Sequence, residues 1–268
     1  MGALLLAAAL SAAAPQAHVA LPAGADESRP AMFMVRDADT TVYIFGTFHA
    51  LDGQSQWFKD RVKSAFDGSG ELVLETVIPD GPVAVPIPGR LPPAASTTSF
   101  LATTRMVISA GRAKGMHVDK GADTTLRSAA QSEGKFVMGL ETPELQLNMY
   151  SRMSPPSPMR AAAVQTRPTI ELPAPIDDLS SLMADLQSAW KRGDQRIFVQ
   201  MLGQLERTSP DTYRIMFTER NARWADWVSA RLRTPGTVFV AVGAGHLAGK
   251  DSLLVRLAEL GIRSSRLN

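Results

Sequence analysis

The 268-residue sequence contains no cysteine, only four histidines and no dense run of lysine or arginine. The lack of cysteine excludes disulfide bonds, thiolate nucleophiles and zinc sites built on cysteine. With 28 basic and 26 acidic residues the net charge is only +2, although the isoelectric point is near 9.0. Binding to nucleic acid or to an anionic membrane surface needs a concentrated basic patch, so neither kind of partner is predicted.

The first residues have the composition of a secretory signal. Residues 3–14 form a stretch rich in Ala and Leu that is too short to span a bilayer, and Ala23-Gly24-Ala25 follows as a small-residue cleavage site. We predict a signal peptide over residues 1–25, export to the periplasm or cell envelope, and no transmembrane span in the mature chain. No lysine or arginine precedes the apolar stretch, and the alternative is a frayed or membrane-adsorbed N-terminus.

Residues 30–268 are predicted to form a single α/β domain. Strand-like and helix-like segments alternate, which is typical of a mixed, largely parallel central sheet covered by helices. The hydrophobic fraction of 45% is sufficient for one sizeable core. Two proline-rich segments, 79–93 and 154–175, show no periodicity and are predicted to be loops.

Hydrophobic periodicity places the individual elements. Strands are predicted at Met32–Val35, Thr41–Phe45, Glu71–Glu75, Lys135–Glu141 and Thr237–Val242, with a further short strand at Met116–Asp119. Helices are predicted at Trp57–Phe66, Ser99–Lys114, Thr124–Ser132, Asp178–Lys191, Asp194–Leu205, Pro210–Leu232 and Ser252–Leu260. Serine as N-cap followed by proline marks the start of the helix at Pro210.

One local pattern occurs twice: an apolar strand-like run is followed by Gly-x-x-His. The first copy ends in Gly46 to His49 and the second in Gly243 to His246. We expect each glycine to allow a sharp turn and each imidazole to lie just beyond the carboxyl end of a strand, the edge where open α/β sheets bind ligands. Glu75 and Glu141 end two other predicted strands, and Asp119 would do so in the short segment.

Imidazole and carboxylate together suit Mn, Fe, Co or Zn. His49, His246 and Glu141 would form a two-histidine, one-carboxylate site, with Glu75 as a fourth ligand or as the general base. Such an ion lowers the pKa of bound water to about 7 and so supplies a nucleophile. Each residue also has a purely structural interpretation, because a histidine can bond to loop backbone, and Glu141 precedes a plausible helix start at Thr142-Pro143.

Arg220 lies on the apolar stripe of the predicted helix Pro210–Leu232. A buried guanidinium needs a carboxylate or a bound anion to offset its desolvation. Two interpretations follow: a structural salt bridge, or a clamp for a substrate carboxylate or a developing oxyanion. Asn221, beside it, could assist in either role.

Five segments in order resemble the TraB/PrgY/GumN family. They are Tyr43–His49, Leu72–Glu75, Gly139–Thr142, Glu219–Asn221 and Val242–Gly249. The resemblance covers the chain from about Met32 onward and implies a fold similar to that of erythromycin-esterase and ChaN-like proteins. TIKI-type members are described as Mn- or Co-dependent metalloproteases that use both Gly-x-x-His motifs. The residues implied to be functional are His49, Glu75, Glu141, Arg220, Asn221 and His246.

Together these observations predict an exported hydrolase that depends on a divalent metal ion, Mn, Co or Zn, and acts on a peptide or another small molecule. His49, Glu141 and His246 are the predicted ligands, Glu75 the base, and Arg220 with Asn221 the groups that hold the substrate. The alternative is a non-catalytic envelope protein whose cleft binds or sequesters a peptide or other small ligand. A purely structural envelope protein, with no ordered cleft at the strand ends, is a third possibility.

Overall fold

A computed structural model describes residues 28–77, 106–153 and 176–268. The predicted signal peptide and the predicted loops at 79–93 and 154–175 lie outside these ranges. No helix within them combines the length and the apolar character that crossing a membrane requires.

A mixed six-stranded sheet organises the described residues. Its strands are β1 (Met32–Arg36), β2 (Thr40–Thr47), β3 (Glu71–Thr76), β4 (Phe136–Glu141), β5 (Gly236–Gly243) and β6 (Ser265–Arg266). The order across the sheet is β4-β3-β5-β2-β1-β6. Strands β4, β3, β5 and β2 run parallel, whereas β1 is antiparallel to both β2 and β6. The predicted α/β class with a largely parallel sheet is confirmed.

Helices connect the strands. They are α1 (Asp60–Asp67), α2 (residues 106–112), α3 (Ala122–Ser132), α4 (Pro143–Arg152), α5 (Ile176–Lys191), α6 (Arg196–Thr208), α7 (Pro210–Tyr213), α8 (Glu219–Arg231) and α9 (Leu253–Glu259). A π-helical turn, Arg214–Thr218, joins α7 to α8, so the predicted helix from Pro210 runs on through a change of pitch. Short 3₁₀ turns cover Val118–Lys120 and Ala244–Leu247.

The predicted short strand at Met116–Asp119 is wrong. His117 makes only an isolated antiparallel bridge to Leu51, and the chain then enters the 3₁₀ turn. Val118 and Asp119 are exposed, so the segment lacks the burial that holds a strand in a parallel sheet. Asp119 therefore does not lie at the end of a sheet strand.

Both faces of the central strands are covered. In β5 the side chains of Val238, Val240 and Val242 pack on one face, whereas those of Phe239 and Ala241 pack on the other. This explains why β5 is a continuous apolar run rather than an alternating one. Since both faces are buried, the ends of the strands are the part of the sheet that can meet a ligand.

Candidate active site

The carboxyl ends of β2, β5, β3 and β4 meet at one edge of the sheet. Register fixes their relative positions, because Thr47 pairs with Gly243 and Thr76 pairs with Glu141. His49 follows β2 and His246 follows β5, while Glu75 and Glu141 belong to the last residues of β3 and β4. The sequence patterns thus bring these four side chains to the same end of the sheet, as expected.

The expected sharp turn is absent at both motif glycines, and at Gly46 the glycine serves close packing instead. Neither Gly46 nor Gly243 has a positive φ angle. A Cβ on Gly46 would lie 3.3 Å from the Ala244 Cα atom and 3.2 Å from the Leu247 side chain. Glycine in the first motif thus lets the turn that carries His246 cross directly over it without displacing Ala244 or Leu247.

Arg220 is the centre of a buried ion-pair cluster. Its Nε donates to both Glu141 carboxylate oxygens at 3.0 Å, and its Nη2 donates to Glu75 Oε2 at 2.6 Å. Its Nη1 lies 3.2 Å from His246 Nε2, and the guanidinium carbon is 4.5 Å from the centre of the Trp224 ring. The side chain is 0% exposed, so one guanidinium ties the ends of β3 and β4 to the turn after β5.

The π-helical turn before α8 precedes Arg220 by two residues. Such turns shift the helix face by a fraction of a turn and are frequent at functional sites. Here the turn carries Phe217, whose ring lies 4.8 Å from that of His246. The helix thus presents Phe217, Arg220 and Trp224 to the same imidazole.

The Glu75 carboxylate of the cluster is held ionised. Burial alone would raise the pKa of Glu75, but the charge of Arg220 outweighs it, and the pKa lies well below its ordinary value. The other oxygen of Glu75 accepts a hydrogen bond from the Gly243 amide at 2.7 Å. Burial disfavours the Arg220 cation, yet the two carboxylates raise its pKa above the ordinary value.

His246 is a neutral ring in a fixed tautomer. Arginine can only donate, so Nε2 of His246 accepts from Arg220, and Nδ1 donates to Asn221 Oδ1 at 2.7 Å. The Asn221 amide nitrogen in turn donates to the Asp251 carbonyl at 2.7 Å, which fixes its orientation. Burial, reinforced by Arg220 and opposed by Glu75, lowers the pKa of His246 to about 3. Asn221 is therefore a positioning residue for His246.

His49 is held by a carboxylate that the sequence analysis missed. Its Nδ1 lies 2.6 Å from Asp123 Oδ2, and Thr47 Oγ1 donates to the other oxygen at 2.8 Å. Burial raises the pKa of Asp123, but His49 more than offsets this and the net pKa is lowered. When the ring is neutral, Nδ1–H donates to Asp123 and the lone pair resides on Nε2.

Gly121 sets the approach between His49 and Asp123. It lies just before α3, and a Cβ there would be 2.2 Å from the His49 carbonyl oxygen. The Ala122 amide donates to the Phe48 carbonyl at 3.0 Å. Only a residue without a side chain allows α3 to start this close to the end of β2, and this start brings Asp123 to the imidazole.

An apolar cavity of about 20 Å³ lies beside both motif histidines. Among the described residues, its lining includes His49, His246, the two glycines of the second motif and side chains from α5, α6 and the π-helical turn. The apolar side chains are Phe48, Ala50, Met183, Leu186, Phe198, Met201 and Phe217. A space of this size accommodates about one water molecule. Arg220 and Glu141 are not among its described lining residues.

The predicted metal site requires His49, Glu141 and His246 to share one cation. The Glu141 carboxylate is already engaged by Arg220, by a second arginine and by a glutamine, and His246 Nε2 accepts from Arg220. Within the described ranges, no three His, Cys, Asp or Glu side chains are arranged to hold an ion. In this arrangement Glu141 and the His246 Nε2 atom are bonded to arginine rather than open to a cation, and the divalent metal stays a prediction.

Acid is expected to destabilise the fold through His246. The pKa of His246 is about 3 in the folded protein, against an ordinary value of 6.5. Between these pH values the ring is protonated in the unfolded chain and neutral in the native state. The contribution of the neutral His246 ring to the free energy of unfolding is complete above pH 6.5. It falls by about 1.4 kcal/mol for each pH unit below that value. Urea unfolding between about pH 7.5 and about pH 5.5 measures the slope.

A His246→Gln variant is the control for this slope, because glutamine does not titrate. Its unfolding free energy should change less with pH over the same range, although the variant is less stable at neutral pH. Glu75 and Asp123, whose pKa values are also lowered, lose their contribution only at more acidic pH. Equal slopes for wild type and variant would contradict the prediction.

The chain matches the model of the TraB/PrgY/gumN family over residues 31–87 and 90–266. Comparisons with curated proteins and with solved structures found no match. The implied likeness to erythromycin-esterase and ChaN-like folds therefore stays a prediction. The matched ranges extend over nearly the whole chain and contain both Gly-x-x-His motifs, both strand-terminal glutamates and Arg220. The chain therefore belongs to the TraB/PrgY/gumN family.

Proposed function

We propose that this family member is a hydrolase that cleaves peptides at the cavity beside His49 and His246. One observation carries the proposal: His49, with Nδ1 held by Asp123, lines an apolar cavity together with the neutral His246. A histidine paired with a carboxylate is a common general base.

The base is assigned to His49 rather than to Glu75. The oxygens of Glu75 accept hydrogen bonds from Arg220 and from the Gly243 amide, and its pKa is well below the ordinary value. A carboxylate with a low pKa takes a proton poorly near neutral pH. The His49 ring instead has a carboxylate partner that stabilises the imidazolium formed when Nε2 accepts a proton.

The proposed reaction balances with one water. Nε2 of His49 takes a proton as the water oxygen bonds to the scissile carbonyl carbon, and Asp123 stabilises the resulting imidazolium. The same proton then passes to the leaving amine as the C–N bond breaks. Arg220 is fully enclosed and acts indirectly, by fixing Glu75, Glu141 and His246.

Export and the metal ion are further parts of the proposal. A signal peptide over residues 1–25 would carry the site to peptides outside the cytoplasm, and N-terminal sequencing of the secreted chain tests it. If a divalent ion binds at the two histidines, the His49→Ala/His246→Ala double variant should lose it. Elemental analysis of both purified proteins tests this, and an equal metal content in the two would remove the histidines as ligands.

The activity is tested by digestion of a peptide library, with new termini identified by mass spectrometry. The protein is used as purified, after chelation, and after Mn, Co or Zn is restored. We expect new termini with wild type and none with His49→Gln. Peptide binding without cleavage under every condition would contradict the hydrolase and support the alternative, a protein that sequesters its ligand. His117→Gln is the matched control, because His117 is exposed.

A further inference from the structure

One buried face of α5 carries polar atoms that have no hydrogen-bond partner among the described residues. Ser180, Met183 and Gln187 follow at spacings of three and four, which places them on the same side of the helix. Ser180 is 2% exposed and Gln187 is 7% exposed. Within the described part of the chain, the Ser180 hydroxyl and the Gln187 Oε1 atom have no hydrogen-bond partner. Met183, between them, lines the cavity.

The orientation of the Gln187 amide is fixed by its other end. Its Nε2 donates to Asp52 Oδ2 at 2.7 Å, and Lys191 Nζ donates to the same oxygen at 2.9 Å. The Asp52 carboxylate, whose pKa is lowered to about 2, can only accept, so the amide cannot be flipped. Oε1 is thus held as a buried acceptor, and a native fold rarely leaves such a group unused.

The rest of this region is apolar and adaptable. Leu186 of α5 and Phe198 and Met201 of α6 line the cavity with Met183. Methionine side chains have several low-energy conformations and make room for ligands of different shape. An apolar group that displaces them enters beside the two imidazoles. Ser180 and Gln187 lie about one helical turn on either side of Met183 along α5.

We propose that α5 is the substrate-recognition helix, and that it binds a peptide with a large apolar side chain such as leucine. This inference rests on the proposed hydrolase function and names its substrate class. The side chain enters the cavity, the backbone N–H that follows it donates to Gln187 Oε1, and the Ser180 hydroxyl donates to a neighbouring carbonyl. A plain acyl chain has no N–H and would leave Gln187 unsatisfied.

Binding of small neutral analogues to a His49→Gln protein tests the proposal without any need for cleavage. The probes are N-acetyl-L-leucine N-methylamide, its glycine analogue, and N-acetyl-L-leucine methyl ester, titrated by ligand-observed NMR. The leucine amide should bind about tenfold or more tightly than the glycine amide, because only it buries an apolar side chain. It should also bind about fivefold more tightly than the ester, which lacks the donor for Gln187.

Gln187→Met should abolish the preference for amide over ester and keep the preference for leucine over glycine. If that variant does not fold, Ser180→Ala should weaken both leucine ligands about equally, because both retain the acetyl carbonyl. Equal binding of the leucine and glycine amides, or an amide preference that survives Gln187→Met, would overturn the proposal. Binding as expected in a protein that never cleaves would contradict the hydrolase alone. Cleavage with no apolar preference would contradict the substrate class alone.

Discussion

Replacing Arg220 with methionine is expected to lower the free energy of unfolding by about 3–5 kcal/mol. The substitution keeps much of the side-chain volume but removes the cation that hydrogen-bonds Glu75, Glu141 and His246. Both carboxylates are at least nine-tenths buried, so each would face a nonpolar interior with fewer donors. Urea unfolding of the purified protein measures the loss.

Arg223→Met is the matched control, because Arg223 also donates to Glu141, at 3.2 Å. Its side chain is 43% exposed, so the pair is worth less than about 1 kcal/mol. Adding Glu75→Gln and Glu141→Gln to the Arg220→Met protein should recover part of the stability, since no buried charge then remains unpaired. If the two arginine substitutions lowered the free energy of unfolding by similar amounts, the buried cluster around Arg220 would not be the source of the stabilisation.

Protonation of Glu75 should have opposite effects on the stability of wild type and of the Arg220→Met variant. In wild type the pKa of Glu75 is below the ordinary value, so protonation opposes folding as the pH falls. Without the guanidinium, burial raises the pKa of Glu75 above that of the unfolded chain, and protonation then favours the native state. The stability deficit of the variant should therefore shrink as the pH is lowered from about 7 to about 5.

The convergence at the sheet edge could be predicted from local patterns. Parallel strands present their carboxyl ends on one side, so Gly-x-x-His after two strands and glutamate at the end of two others imply one site. The register that pairs Thr47 with Gly243 bears this out. The wrong prediction of a strand at Met116–Asp119 shows where local patterns fail. The segment has only four residues and its second half is exposed, so its sequence does not distinguish a strand from a turn.

The sequence could predict that Arg220 has an acidic partner, but not which carboxylate it is. The apolar stripe of its helix places the guanidinium inside, and burial then requires an acidic partner. The salt-bridge interpretation is the one the structure describes, with Glu141 79 residues and Glu75 145 residues away in sequence. Which carboxylate meets the arginine depends on strand order, which no local pattern encodes.

Asp123 was missed because its local setting has an ordinary explanation. An acidic residue in the first turn of a helix stabilises the helix dipole, and α3 begins at Ala122. The glycine just before the helix was the available signal, since it permits the backbone contact with His49. Only the folded chain shows that the same carboxylate fixes an imidazole 74 residues away.

Replacing His49 with glutamine is expected to reduce kcat for peptide cleavage by about 10²–10⁴-fold, the usual contribution of a general base. Asp123→Asn should reduce kcat by about the same factor, for a different reason. Thr47 donates to one oxygen of Asp123, so the asparagine would keep its oxygen there and turn its NH₂ group toward His49. The ring would then carry its proton on Nε2 and lose the lone pair that accepts a proton from water.

This tautomer argument makes a rescue experiment decisive. Adding Thr47→Val to Asp123→Asn removes the competing donor, so the asparagine can rotate and accept from Nδ1 of His49. The double variant should regain about tenfold in kcat over Asp123→Asn, with peptide affinity unchanged in all variants. Thr47→Val alone should have the smaller effect, because it leaves the carboxylate in place. Full activity in Asp123→Asn would show that this carboxylate does not control the base, and His49 would lose its proposed role.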